Sequence, residues 1–97
     1  MKRAEFVFTI GFQGDAAVVD RRAMRSYRNL GTMELAELGM YRAAFCSALF
    51  SGDAAEMQQF ISYFSEKTDK ADLTEDQVKR LFGVHTVPDD VKKVIAV

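Results

Sequence analysis

The chain has 97 residues, 48% of them hydrophobic and 28% charged, with a formal net charge of −1. That length suits one domain with its own core, and the charge balance excludes a disordered chain and a surface that is basic throughout. One Cys and one His exclude a disulfide framework and any zinc site built from the Cys and His of a single chain.

Lys2 and Arg3 precede an apolar run, in the order of a secretory leader. Glu5 interrupts that run, and Asp15 follows it without a small-residue cleavage site, so no leader is expected. No apolar stretch approaches the length of a membrane span. With a lone thiol, the expected compartment is the cytoplasm.

Phe6, Phe8, Ile10 and Phe12 alternate with Val7, Thr9 and Gly11, which predicts a strand with four large side chains on one face. Gln13-Gly14-Asp15 turns the chain, and Ala16–Asp20 reads as the second strand of a hairpin. Two strands alone are marginal in water. A third must come from the C-terminal tail or from a second chain.

From Arg21 the period becomes helical. A short basic helix is expected over Arg21–Asn29, with Gly31 free to close it in a left-handed cap. Thr32 is placed to N-cap a second short helix through Leu38, with Glu34 favourable near its start and Gly39 at its end. The next helix, Met40–Ser51, carries Tyr41, Ala44, Phe45, Ala48 and Leu49 on one face and Ala43, Cys46 and Phe50 on another. A helix so nearly apolar all round is buried on more than one side, between the sheet and another helix or at a subunit interface.

Gly52 ends that helix and Asp53 caps the next, whose stripe is Met57, Phe60, Ile61 and Phe64. The short link makes residues 40–66 an αα-hairpin. Glu66–Asp72 is a charged linker. Thr74 and Gln77 form a capping box that opens a helix with Val78, Leu81 and Phe82, closed by Gly83. In the tail, Pro88-Asp89-Asp90 favours a helical turn over residues 88–92, whereas Val91–Val97 is rich in β-branched residues and favours an extended end. The expected fold is α+β: an N-terminal antiparallel β-hairpin packed against four or five short helices.

No catalytic constellation, metal-ligand spacing or cofactor motif is present. The Gly11–Gly14 segment lacks the Lys-Ser/Thr of a phosphate loop. Cys46 lies in an apolar helix, where a thiol is an inert small hydrophobe. His85, near Asp89 and Asp90, gives only a weak metal signal. The acids Asp69, Asp72, Glu75 and Asp76 lack the glycine of a calcium loop.

Two surfaces remain. The open edge of residues 6–20 predicts strand addition across a two-fold axis, with Phe6, Phe8, Val18, Ala43, Cys46 and Phe50 as interface candidates. Arg21, Arg22, Arg25 and Arg28, with Tyr27 among them, are candidate contacts for phosphates or nucleic acid. The opposing reading pairs these arginines with Asp20, Glu34 and Glu37 on a solvated helix face. The basic charge is local: residues 1–48 hold seven basic and five acidic side chains, residues 49–97 six and nine. The expected function is a small non-enzymatic protein–protein interaction module that forms a homodimer or engages another protein. A nucleic-acid-binding regulator ranks second, and no membrane partner is expected.

Overall fold

The computed structural model describes residues 1–97, in the order α1 (Arg3–Val7), β1 (Thr9–Gln13), β2 (Ala16–Val19), α2 (Arg21–Tyr27), α3 (Thr32–Glu37), α4 (Tyr41–Ser51), α5 (Ala54–Lys67), α6 (Glu75–Phe82) and β3 (Lys93–Ala96). The fold is α+β, as expected, with six helices rather than four or five.

The added helix is α1, which occupies the first half of the predicted strand. Glu5 reaches back to accept the Lys2 N–H at 2.8 Å and fixes the helix start. Phe6, Val7 and Phe8 are 2%, 1% and 4% exposed. Three consecutive buried side chains do not fit a strand with one solvated face; a helical turn leading into Phe8 carries all three into the core. The strand proper starts at Thr9. Its register slips between Thr9↔Val19 and Gly11↔Val18, leaving Ile10 as the extra residue of a bulge. Gly14 at φ 59, followed by Asp15 at negative φ, fits the two-residue II′ hairpin turn.

The third strand is the chain's own tail. β3 runs parallel to β2, from Ala16↔Lys93 to Val19↔Ala96, so the strand order is β1-β2-β3. The helical turn expected over residues 88–92 does not form. Lys92 N–H instead donates to Asp15 O at 2.8 Å and leads the β-branched tail into the sheet. The central strand β2 has Ala16, Ala17 and Val19 buried. Such a strand, paired on both sides, can be wholly apolar.

Gly31 differs from expectation as well. Its φ of −84 makes it the extended N-cap of α3, with Glu34 accepting its N–H at 2.9 Å, and Thr32 is the first helical residue. Asp53 accepts the N–H groups of Ala55 and Glu56, and Thr74 with Gln77 closes both bonds of its capping box. Gly52 and Gly83 end α4 and α6 in the left-handed conformation.

The core is an aromatic cluster between α4, α5 and α6. Phe45 meets Phe60 at 6.0 Å and Phe82 at 5.7 Å, and Phe64 meets Phe82 at 5.4 Å. Met57, Phe60, Ile61 and Phe64 are all buried, as the stripe predicts, whereas Leu81 is exposed. All six residues Ala43–Ala48 are buried because α1, α3 and α5 all pack on α4. Polar side chains also tie these elements together. Arg3 Nη2 donates to Ser47 Oγ at 2.7 Å, Ser47 and Thr32 hydroxyls meet at 2.8 Å, and Thr32 lies 3.1 Å from Glu56 Oε2. A carboxylate only accepts, so Thr32 donates to Glu56 and Ser47 donates to Thr32, an order in which every hydroxyl is satisfied.

α5 ends without a glycine. Asp69 N–H donates to Glu66 O, and Lys70 N–H to Ser65 O at 2.9 Å, around Asp69 at φ 55. This is a Schellman cap with an L-residue in the left-handed position. Asp69→Gly should therefore stabilise the chain by about 0.5–1 kcal/mol and raise Tm by roughly 2–6 °C by calorimetry. A lower Tm would show that the Asp side chain holds the turn.

Candidate functional site

Most of the interface candidates are spent inside this chain. Phe6, Phe8, Ala43 and Cys46 are buried, and the half-buried Phe50 packs its ring 6.2 Å from Phe6. Val18 is half-buried on the central strand. The cause is α1, which covers the second apolar line of α4. The hydrophobic residues left outside lie further along β1, where Ile10 is 60% and Phe12 50% exposed.

The backbone of β1 adds to this surface. Gln13 and Ala16 flank the two-residue turn, so the next pair, Phe12 and Ala17, is not hydrogen-bonded across the hairpin. Phe12 therefore turns its N–H and C=O to the open edge. Phe8 O bonds inward to Asp20 N–H at 2.9 Å, so Thr9 O faces outward, where Arg42 Nη1 donates to it. β1 contains no charged residue and no Pro to discourage pairing. Beside it runs an open groove of about 430 Å³ with Val7, Phe8, Ile10, Met40, Tyr41 and Phe82 in its walls. The opposite edge carries more charge: Lys92 precedes β3, Lys93 opens it, and Arg21 Nη2 donates to Ala96 O at 3.3 Å.

Arg21, Arg22, Arg25 and Arg28 are all exposed, and α2 buries no residue. The partners considered for them are used elsewhere or stand apart. Asp20 accepts the Ala23 N–H at 3.0 Å, and Glu34 caps Gly31. The one side-chain ion pair in the fold is Lys79–Glu75 at 3.2 Å. Three guanidiniums on α2 and a fourth at its C-cap, Arg28, thus stand with no carboxylate within 4.0 Å. Arg28 also borders a shallow hollow of about 350 Å³ with Lys2 and Asn29.

A third feature lies beneath the β1–β2 turn. The start of α4 and the Gly83–Val91 loop enclose a cleft of about 260 Å³, with Phe6, Phe12, Val84 and Val91 among its walls and Arg42, His85 and Asp90 as its ionisable groups. Cys46 also lines it, so the fold brings Cys46 and His85 to one place. Burial pushes the Cys46 thiol up to about 11, against a smaller opposing pull from Arg42. At neutral pH it is a thiol, which is not the nucleophilic form. No three His, Cys, Asp or Glu side chains converge to hold a metal ion, and no helix is long and apolar enough to cross a membrane.

The sequence reading missed Ile10 and Phe12 as exposed residues and Arg42 as the cap on the strand edge. The signal for Arg42 was its place as one of three polar residues, with Ser47 and Ser51, on an otherwise apolar helix. Compared with known proteins, the chain matches no family model, no curated protein and no solved structure.

Proposed function

We propose that this chain is a small, non-enzymatic protein–protein interaction module of the cytoplasm that pairs with a second copy of itself along β1. The carrying observation is the edge of that strand beyond the Arg42 cap, where Ile10 and Phe12 stand 60% and 50% exposed beside the outward N–H and C=O of Phe12, in a strand with no charged residue or Pro of its own. An isologous contact across a two-fold axis presents the same edge from both copies and needs no second protein. The lone buried thiol suits a reducing compartment.

Molar mass by light scattering after gel filtration tests the reading. The expected value is twice 10.9 kDa, at low and high salt alike, because the contact is apolar. Ile10→Lys should return the monomer mass with the helical circular dichroism unchanged, since Ile10 lies outside the core. A wild-type chain that stays monomeric at high concentration overturns the proposal.

One observation favours a second reading. The guanidiniums of Arg21, Arg22, Arg25 and Arg28, free of carboxylate partners, suit phosphates and a nucleic-acid-binding regulator. Four phosphate contacts would give a log–log salt slope of about −3.6 on duplex DNA. Absence of duplex binding at low salt removes this alternative.

A further inference from the structure

We propose that the cleft beneath the β1–β2 turn binds a small monocarboxylate with an aliphatic body, its carboxylate held by Arg42. Arg42 is half-buried at the start of α4, facing a cleft whose walls include Phe6, Phe12 and Val84. A guanidinium has five N–H donors in a planar fork. The hydrogen bonds of Arg42 come to one, from Nη1 to Thr9 O, and no carboxylate lies within 4.0 Å of it. A cation partly withdrawn from water, with most of its donors unspent, is matched best by a planar anion that two parallel N–H groups can grip.

The remaining groups narrow the ligand. The side chains of Phe6, Phe12, Val84 and Val91 on one part of the wall favour a ligand with a hydrocarbon body, while Thr9, Thr86 and His85 keep the rest of the lining polar. Asp90 at the same cleft repels a second negative charge, which disfavours dicarboxylates and phosphate esters. A volume of about 260 Å³ is some eight or nine times the share of one liquid water, room for roughly ten non-hydrogen atoms. An aliphatic acid fits that description, and so does an aliphatic amino acid, whose ammonium would meet Asp90.

The test is a titration of the ¹⁵N-labelled chain, in whatever oligomeric state it adopts, followed by amide chemical shifts. The probes are 4-methylpentanoate, its neutral carboxamide and L-leucine. The carboxylate should shift the amides of Val84 and His85 saturably, with Kd at ~1–20 mM, as befits so few atoms. The carboxamide should bind at least tenfold more weakly. Arg42→Gln should lose at least tenfold in affinity for the carboxylate, and Arg42→Lys less, because an ammonium keeps the charge without the fork. Leucine binding as tightly as 4-methylpentanoate, or more so, assigns the site to amino acids; weaker binding assigns it to simple carboxylic acids. The proposal fails if no saturable shift appears at these residues, or if carboxylate and carboxamide bind alike. That comparison uses the unaltered chain and holds even where Arg42→Gln weakens the fold through Thr9.

Discussion

Phe45→Ala should remove a large share of the chain's stability, roughly 3–5 kcal/mol. Phe45 is fully buried, and its ring joins Phe60 on α5 to Phe82 on α6 at 6.0 and 5.7 Å. Truncating a buried Phe to Ala removes its transfer energy and leaves a cavity, at a cost of roughly 3–5 kcal/mol. A domain of this length is stable by only about 5–15 kcal/mol in total. Phe45 sits where three helices meet, so neighbouring backbone cannot close the gap without loosening α4 from α5 or α6. Urea unfolding should show the midpoint falling by roughly 2–3.3 M for an m-value near 1.5 kcal/mol/M. Leu81→Ala, on the exposed side of the neighbouring α6, should stay within about 0.5 kcal/mol of the parent. A loss below 1 kcal/mol at Phe45 would mean that the aromatic cluster is not the centre of the core.

The helical half of this fold was legible because each signal there is local. The Met57, Phe60, Ile61 and Phe64 stripe, the Asp53 cap and the Thr74–Gln77 box each act within one or two turns of chain, and each appears where its spacing puts it. The N-terminus misled for a definite reason. An alternation from Phe6 to Phe12 is the same string of letters whether one strand carries it or a helical turn runs into a strand. Burial distinguishes the two: on one strand Val7 would face away from the phenylalanines, yet it is 1% exposed, and Ile10 would share their face, yet it is 60% exposed. The tail was ambiguous because its outcome is non-local. Pro88-Asp89-Asp90 favours a helix on local grounds, but a strand beside β2 satisfies the open edge of the hairpin, and that gain cannot be read from the tail.

The candidate site inherits these errors. An interface built on Phe6, Phe8, Ala43 and Cys46 assumes that α4 has an unpartnered face. Once α1 exists, that face has an intramolecular partner, and the unsatisfied surface shifts two turns of pleat along β1 to Ile10 and Phe12. The arginine cluster was legible as a cluster, but its pairing was not. Capping bonds compete for carboxylates: Asp20 and Glu34 each stabilise a helix start by accepting a backbone N–H, which holds them away from the guanidiniums.

The stability of the chain should fall between pH 9 and pH 11, and Cys46 should account for a resolvable part of that fall. The folded state keeps the thiol protonated up to about pH 11 because burial opposes the thiolate, whereas the unfolded chain releases the proton near its ordinary 9.0. Below pH 9 both states hold the proton and the contribution is complete. Across the interval only the unfolded chain ionises, so folding must take up a proton and weakens by about 1.4 kcal/mol per pH unit, reaching about 2–3 kcal/mol. Above pH 11 both states ionise and the loss levels off. The diagnostic quantity is the difference between the parent and a variant that lacks the thiol. Cys46→Ala should start less stable at pH 8 because it removes a buried sulfur, yet its curve should fall less steeply and converge on the parent by pH 11. Parallel curves would mean that the thiol ionises as easily in the fold as outside it, and that water reaches the bottom of the Arg42 cleft. Alkylation gives an independent check: at pH 8 iodoacetamide should modify Cys46 no faster than the chain unfolds.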